Sequence, residues 1–354
     1  MDVQTKKEFH SLVAIGNPIV DISAETDEDS IQKFGLEWGR TVFANDKNIG
    51  IFDELEKKPE VSYVPGGSIQ NSLRVASWCL KMYDSTKNKY RLTMLGCVGN
   101  DVYKDKIVNA LEESGVTPLL QVNDKMKSSR CAVGIFKKER CLVPEIKASN
   151  TLSEEHIEKN KDIIGGNDCL LIEGYFIVEK YDICLGLAKH FINNKKPVIF
   201  TLSAVFLMQY HLDKVLEIAN MSDLIFGNME ECEALAGQKG ETFQETIEMA
   251  HKKMAPRDRI LIITCGSRGV FGSKYNYETQ QLEFVLQRFP SFIKHEDIVD
   301  LNGAGDAFLG GYISQWMQGK SLDACCKAGN DASGIILKNV GCTFPKNGKI
   351  QFAQ

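Results

Sequence analysis

Residues 197–228 read PVIFTLSAVFLMQYHLDKVLEIANMSDLIFGN, and their pattern indicates the fold class. Two short and almost continuous apolar runs, 197–203 and 222–228, flank a segment of helical length. Strands that are apolar along both faces are typical of a parallel sheet that helices cover on both sides. The stretch therefore predicts one strand–helix–strand unit of a doubly wound α/β domain.

The same alternation extends in both directions along the chain. The sequence predicts helices at 68–83 and 101–115, and further strands at 10–16, 91–99, 168–174 and 259–266. Doubly wound sheets bind ligands at the carboxyl ends of their strands. We therefore expect the functional residues in the loops that follow these strands.

Two segments of short, mixed-polarity runs, 22–64 and 117–147, interrupt the alternation. They predict extended hairpin strands with little helix, and pairing of the two would give one small β-sheet that forms a lid over the site. Ordinary surface hairpins are the alternative. The remaining ranges, 1–21, 65–116 and 148–354, then form the large α/β domain.

The composition excludes several classes of protein. The 354 residues are 43% apolar and 25% charged with a net charge of -5, so no excess of Lys and Arg indicates a nucleic-acid or membrane partner. No run approaches the ~20 apolar residues that cross a bilayer, and the N-terminal apolar run is too short for a signal peptide. Eleven cysteines without zinc-site spacing predict reduced thiols in a cytoplasmic protein.

The loop NGAGD at 302–306 has the character of an anion site. Gly303 and Gly305 let the backbone approach an anion, and the helix that follows presents unpaired N–H groups. Asp306 would lie beside that anion as a base, and the positive helix start should keep it ionised. The alternative is an ordinary acidic residue in a first helical turn. The loop is not a Walker A motif, and Phe308 replaces the third glycine of a dinucleotide fingerprint.

Two other loops carry groups suited to a hydroxylated ligand. GNPIVDIS at 16–23 contains Asn17 and Asp21, and a carboxylate can accept hydrogen bonds from two vicinal hydroxyls. VPGGSIQNSLRVA at 64–76 leads through two glycines into a helix that carries Ser68 and Asn71. A solvated loop aspartate and a simple helix cap are the alternatives.

A third loop suggests a metal–nucleotide site. FGNMEECEAL at 226–235 places Asn228 and Glu231 three residues apart at a helix start. Such a turn can hold Mg²⁺ through water, although a capping box has the same pattern. Arg140 is the basic residue of the predicted lid that would reach a phosphate, unless it lies on the surface.

Five motifs in register resemble the ribokinase-like (PfkB) carbohydrate kinase family and, within it, the adenosine kinases. They are DLNGAGDAFLGGY (300–312), GNPIVDISA (16–24), GGSIQNS (66–72), LIFGNMEE (224–231) and GCTFP (341–345). The resemblance implies a doubly wound sheet with a β-lid in a monomer. It implies transfer of the γ-phosphoryl group of Mg·ATP to the 5′-hydroxyl of adenosine, with AMP and ADP as products.

The resemblance also implies a role for individual residues. Asp306 would be the base, Arg140 would contact the transferring phosphoryl group, and the backbone of Gly303, Ala304 and Gly305 would form the anion hole. Adenosine would contact Asn17, Asp21, Phe43, Gly66, Gly67, Ser68, Asn71, Tyr175, Phe206 and Asn302. The ATP side would comprise Asn228 and Glu231, which hold Mg²⁺ through water, together with Thr264, Gly266 and Asn330.

Several residues depart from the usual pattern of that family. Leu301 stands in place of a common Thr, Asn330 in place of a frequent His, and Thr201 in place of an Asn; Pro144, Glu145 and Lys147 interrupt a strand that is usually more apolar. A kinase of another nucleoside or sugar therefore stays open, as does a nucleoside-binding protein without catalysis. The aromatic residues at 43, 175 and 206 favour a flat base over a bare sugar, and Asp306 with its glycines favours catalysis.

Overall fold

The computed structural model describes residues 7–83, 89–136, 139–288 and 293–345. Residues 1–6 and 346–354, which the sequence assigns to the large domain, lie outside the described residues. Within the described ranges, no helix has both the length and the apolar character needed to cross a bilayer.

The strands alternate with helices through most of the chain. The strands are β1 (Ser11–Ile15), β2 (Ile19–Glu25), β3 (Ser62–Gly66), β4 (Arg91–Gly99), β5 (Val116–Asn123), β6 (Ser129–Phe136), β7 (Glu139–Glu145), β8 (Cys169–Glu173), β9 (Val198–Thr201), β10 (Leu224–Asn228), β11 (Arg259–Thr264), β12 (Val270–Asn276) and β13 (Gln281–Gln287). The helices are α1 (Glu28–Lys33), α2 (Ile51–Leu55), α3 (Ser68–Tyr83), α4 (Val102–Ser114), α5 (Glu154–Lys159), α6 (Lys161–Gly165), α7 (Ile177–Asn193), α8 (Val205–Tyr210), α9 (Leu212–Met221), α10 (Met229–Ala236), α11 (Phe243–Lys253), α12 (Ala304–Met317) and α13 (Leu322–Ile336).

The large sheet has nine strands in the order β13-β12-β11-β10-β9-β8-β1-β4-β5. All neighbours pair in parallel except β11 with β12 and β12 with β13. The prediction of a mostly parallel, doubly wound sheet is therefore confirmed. The chain builds outward from β1 on one side and from β8 on the other, so the strand order reverses between these two strands. Doubly wound sheets bind ligands at such a switch point.

Helices cover both faces of the sheet because its central strands are apolar on both. Along β1, Leu12 and Ala14 pack into the core that α3, α4, α12 and α13 complete. The alternate residues Val13 and Ile15 face the core formed with α7, α9, α10 and α11. Neighbouring side chains of a strand point to opposite faces, so one apolar run supplies both cores.

The small sheet has the order β3-β2-β6-β7 and lies apart from the large one. Its two predicted segments do pair, but residues 117–123 of the second belong to β5 at the edge of the large sheet. The expectation of little helix in 22–64 is also wrong, because that range contains α1 and α2. Ile31 and Phe52 of these helices pack with Ile22 of β2, so they cover the outer face of the small sheet.

Candidate active site

A cavity of about 800 Å³ lies at the carboxyl edge of the large sheet, against the inner face of the small sheet. This volume suits a ligand the size of a nucleoside. Eleven of the predicted site residues line it, namely Asn17, Asp21, Phe43, Gly67, Ser68, Asn71, Tyr175, Phe206, Asn302, Gly303 and Asp306. They come from segments far apart in sequence, which meet where the carboxyl edge of the large sheet faces the small sheet.

Asp306 stands in the first turn of α12, and α3 fixes both of its carboxylate oxygens. Ser68 Oγ donates to Oδ1 over 2.7 Å, and Asn71 Nδ2 donates to Oδ2 over 3.1 Å. Burial raises the pKa of Asp306 above its ordinary value, while these two hydrogen bonds lower it. The loss of water therefore outweighs these two hydrogen bonds in the direction of the shift. That the positive helix start keeps Asp306 ionised at neutral pH stays a prediction.

Two glycines are required where α3 begins. A Cβ atom at Gly66 would lie 2.1 Å from Asp21 Oδ1, so only glycine leaves room for that carboxylate. Gly67 has φ +84°, and a Cβ atom there would lie 2.3 Å from the carbonyl oxygen of Asn17. The Pro-Gly-Gly segment thus brings bare backbone against Asn17 and Asp21, which the sequence assigns to the ligand, although Asp21 lies within β2 and not in a loop as predicted.

The loop before α12 brings glycine backbone to the N-terminus of the helix. Gly303, at the N-cap, has φ +77°, and a Cβ atom there would lie 2.8 Å from Cys342 Cβ. Gly305 is exposed, and apart from its chain neighbours and the backbone of its own helix no atom lies within 4 Å of the position that its Cβ would take. The first N–H groups of an α-helix have no intrahelical partner, so the start of α12 can donate to an anion.

Aromatic side chains form one wall of the cavity. Phe206, in α8, meets Phe43 edge to face with ring centroids 6.4 Å apart, and Tyr175 lies at 6.1 Å from Phe206. Phe43 is 50% exposed and comes from the segment that borders β7. These rings offer a flat base an apolar face from both the large sheet and the small one.

The residues predicted for ATP lie at neighbouring strand ends, outside the cavity lining. Asn228 and Glu231 form a capping box: Asn228 Oδ1 accepts the Glu231 N–H over 2.9 Å, and Glu231 Oε2 accepts the Asn228 N–H over 3.0 Å. Burial raises the pKa of Glu231 to about 7. Thr264 pairs beside Asn228 in the sheet, and Gly266 follows with φ +57°.

Asn330 and Arg140, two further predicted site residues, bind to other groups of the protein outside the cavity lining. Asn330 Nδ2 donates to the carbonyls of residues 287 and 288, so this amide holds the end of β13 against α13. Arg140 forms a buried ion pair with Asp300, at the entrance to the loop before α12. Gly66, Ala304 and Gly305 also fall outside the lining, and the roles of all these residues stay predictions.

Sequence reasoning missed Glu173. This carboxylate ends β8, is 1% exposed and lines the cavity, where burial raises its pKa to about 7. One signal was present in the sequence: a single charge at the end of the apolar run 168–174. Carboxylates dominate the charge of the lining, which contains Asp21, Glu145, Glu173, Glu179 and Asp306 and, among the described residues, no Lys or Arg.

A second depression of about 780 Å³ runs along α5, α6 and α7. It is open to solvent and is lined by side chains of surface helices such as Glu158, Lys161 and Asn194. It lies away from the strand ends and the N-terminus of α12. We therefore place the candidate active site in the cavity at the carboxyl edge of the sheet.

Fold and site together define a class of enzyme, an ATP-dependent kinase that phosphorylates a hydroxyl group. The chain belongs to the pfkB family of carbohydrate kinases, whose family model matches residues 30–348. It is similar to the adenosine kinase of Dictyostelium discoideum, with 32% identity over 96% of this chain and 98% of that one. It is also similar to the adenosine kinase of Saccharomyces cerevisiae, with 27% identity over 97% of this chain and 99% of that one.

Solved structures agree with this assignment. Anopheles gambiae adenosine kinase, in complex with P1,P4-di(adenosine-5) tetraphosphate, superposes with a TM-score of 0.80 at 31% identity, covering 94% of this chain and 96% of that one. Schistosoma mansoni adenosine kinase, in complex with adenosine and AMP, superposes with a TM-score of 0.81 at 26% identity, and the match covers 95% of this chain and 97% of that one.

Proposed function

We propose that this protein transfers the γ-phosphoryl group of Mg·ATP to the 5′-hydroxyl of adenosine, giving AMP and ADP in purine salvage. The observation that carries the proposal is Asp306, a carboxylate whose two oxygens are held by Ser68 and Asn71 at the start of a helix that borders the cavity. The similarity to adenosine kinases over almost the whole chain supports adenosine as the acceptor.

In this mechanism Asp306 accepts the proton of the 5′-hydroxyl. The O5′ atom forms a bond to Pγ while the bond from Pγ to the bridging oxygen of ADP breaks. The N–H groups at the start of α12 stabilise the charge on the transferring group, and Arg140 neutralises it from the small sheet. Phosphoryl transfer depends on such positioning and charge stabilisation more than on covalent chemistry.

The charge of the cavity supports a neutral acceptor. Among the described residues the lining contains no Lys or Arg that could hold a phosphate group carried by the acceptor, and Glu145 is already paired with Arg130 and Lys147. The wall formed by Phe43, Tyr175 and Phe206 favours an acceptor with a flat base over a free sugar. A nucleoside satisfies both conditions.

Asn228 and Glu231 fit a hydrated Mg²⁺. Both oxygens of Glu231 accept hydrogen bonds from Asn228, and each keeps a lone pair for a water molecule of the ion. No group of three or more His, Cys, Asp or Glu suited to direct ligation occurs in the described part of the chain. Bound with ATP, Mg²⁺ would neutralise charge on the β- and γ-phosphates.

We also propose that the protein acts as a monomer in the cytoplasm. α1 and α2 cover the outer face of the small sheet, so the chain itself buries the surface that a partner subunit would otherwise cover. All eleven cysteines are buried and free of disulfides, which suits a reducing compartment. Sedimentation at several protein concentrations tests the first statement.

The deciding experiment offers Mg·ATP with adenosine, inosine, guanosine, ribose, fructose or fructose 6-phosphate and identifies the products by mass. We expect AMP from adenosine and no product from the free sugars or the sugar phosphate. Preferred phosphorylation of another nucleoside would keep the enzyme class and change the acceptor. Binding of adenosine without any product would contradict the kinase proposal.

A further inference from the structure

Glu173 joins the two strands between which the order of the large sheet reverses. It is the last residue of β8, and its Oε2 accepts both the backbone N–H and the Nδ2 of Asn17, each over 2.8 Å. Asn17 follows β1, the parallel neighbour of β8. One buried carboxylate oxygen therefore ties together the two strand ends that border the cavity.

The surroundings of Glu173 fix its position. A Cβ atom at Gly16 would lie 2.9 Å from Glu173 Oε2, so the backbone of β1 approaches the carboxylate closely. The backbone N–H of Ile69, in the first turn of α3, lies near enough to Glu173 to lower the pKa of its carboxyl. That same turn carries Ser68, which holds Asp306. Glu173 thus contacts the supports of both the ligand loop and the catalytic carboxylate.

The contact with Glu173 decides which way the side-chain amide of Asn17 faces. A carboxylate attracts the NH₂ group and repels the carbonyl oxygen, so Nδ2 is held toward Glu173. Asn17 Oδ1 is then the group left to accept a hydrogen bond. Asn17 is 5% exposed and lines the cavity, and its Oδ1 is buried without a partner among the described residues. A buried acceptor of this kind favours a ligand that donates to it.

We propose that Glu173 is a positioning residue that makes the site select for a sugar hydroxyl, because it holds Asn17 with its amide oxygen available to the ligand. The proposal rests on the proposed function, which supplies a ribose. A ribose hydroxyl can donate to Asn17 Oδ1, whereas a deoxyribose that lacks that hydroxyl leaves the oxygen unpaired. Without Glu173 the amide can turn and present either NH₂ or oxygen, so the selection weakens.

The test compares wild type, Glu173→Ala, Glu173→Gln and Asn17→Ala, with the double alanine variant, on adenosine, 2′-deoxyadenosine and 3′-deoxyadenosine. Both KM and kcat are measured, together with the Kd of each nucleoside. We expect Glu173→Ala to raise the KM for adenosine about tenfold with a smaller effect on kcat, the size of one lost hydrogen bond. For the deoxynucleoside that wild type disfavours, Glu173→Ala should change the KM by less than about threefold.

The results for two further variants distinguish a role of Glu173 in positioning Asn17 from a role in stability alone. Glu173→Gln keeps a side-chain oxygen that can accept from Asn17, so it should retain most of the discrimination. The double variant should lose no more discrimination than Asn17→Ala alone, because Glu173 acts through Asn17.

Asp168 supplies the matched control. It stands beside the other end of β8, where its Oδ2 accepts the backbone N–H groups of His10 and Ser11 over 2.8 and 3.0 Å. Asp168→Ala removes a similar link between β8 and the β1 region far from the cavity. It should lower the unfolding temperature and leave the ratio of adenosine to deoxyadenosine efficiency unchanged.

Equal losses for all three nucleosides in Glu173→Ala, or additive losses in the double variant, would overturn the positioning role while wild-type turnover still supports the kinase. If wild type binds nucleosides without turnover, the proposed function fails and the ratios of Kd values decide the role of Glu173. If wild type binds no nucleoside, both proposals are overturned.

Discussion

Arg140 Nε lies 2.9 Å from Asp300 Oδ1 in a buried ion pair that connects β7 of the small sheet to the loop before α12. Asp300 also accepts the backbone N–H of Asn302 over 3.0 Å and that of Gly341 over 2.6 Å. One carboxylate therefore joins the small sheet, the predicted anion hole and the turn that carries Cys342. This arrangement holds the guanidinium of Arg140 beside the loop that leads to the predicted anion hole.

The first prediction concerns Arg140. We expect Arg140→Gln to lower kcat by ~10²–10³-fold, as loss of one donor to a developing charge does, with little change in the KM for adenosine. Steady-state kinetics with both substrates varied will check this. The matched control is Arg130→Gln, since Arg130 pairs with Glu145 over 2.7 Å in the same small sheet. A similar fall in kcat in both variants would show that only the packing of the small sheet matters.

The second prediction concerns Asp306. We expect Asp306→Asn to lower kcat by ~10²–10⁴-fold, the usual contribution of a general base, while the Kd for adenosine changes little. Single-turnover kinetics and calorimetric titration will measure the two quantities.

Asp331 provides the control for Asp306→Asn. It is 5% exposed on α13, and burial raises its pKa to about 6, so Asp331→Asn also neutralises a buried carboxyl. That variant should keep wild-type turnover. If Asp306→Asn retains turnover within ~tenfold of wild type, Asp306 is not the base.

The third prediction separates capping from magnesium binding at α10. We expect Glu231→Gln to raise the Mg²⁺ concentration that gives half-maximal rate, because a neutral amide attracts the hydrated ion less than a carboxylate does. Thr242 and Glu245 form a capping box of the same pattern at the start of α11, and neither is among the residues predicted to contact ATP or adenosine. Glu245→Gln should therefore affect stability to a similar degree and leave the Mg²⁺ dependence unchanged. An equal Mg²⁺ response of both variants would assign Glu231 to capping alone.

The sequence predicts the large sheet well because its strands are buried on both faces and stand out as apolar runs. It fails for β5, whose side chains are mostly half-buried, since the mixed polarity of this edge strand resembles that of a hairpin. It also fails for α1 and α2, with 6 and 5 residues, which are too short to show helical periodicity.

The sequence likewise predicts some features of the candidate site and not others. Polar residues that follow a glycine-rich turn or a strand end are visible in the sequence, and this pattern predicts Asp21, Ser68, Asn71 and Asp306 as site residues. The partners of those residues depend on tertiary packing. Neither the contact between Asn17 and Glu173 nor that between Arg140 and Asp300 leaves a local pattern, because each joins segments more than a hundred residues apart. The pKa values depend on burial and are equally inaccessible from sequence.

The fourth prediction is a pH dependence of nucleoside binding that arises from Asp21. Burial raises the pKa of this carboxyl from an ordinary 3.8 to about 7; the nearby Asp306 and Asp300 raise it as well, and Arg140 lowers it. The ionised carboxylate can accept from two ribose hydroxyls with its two oxygens, whereas protonation turns one of these oxygens into a donor. We therefore expect the Kd for adenosine to fall as the pH rises through about 7 and to level off above that range.

The raised pKa of Asp21 also determines how this residue affects the free energy of unfolding at different pH. Because the pKa of Asp21 is higher in the folded state than in the unfolded chain, the folded state binds more protons between pH 4 and 7. The contribution of Asp21 to the free energy of unfolding must therefore decrease as the pH rises through that window. Urea unfolding at pH 5, 6, 7 and 8 should show a smaller decrease for Asp21→Asn than for wild type.

Calorimetric titration of adenosine from pH 5.5 to 8.5 tests the binding step itself. Asp21→Asn should bind more weakly than wild type at pH 8 and should lose the step near pH 7. Glu173→Gln is the control, because the pKa of Glu173 is also raised to about 7 and this variant leaves Asp21 in place. A step that persists in Asp21→Asn and disappears in Glu173→Gln would assign the titrating group to Glu173, and the ribose contact of Asp21 would then have no support from pH.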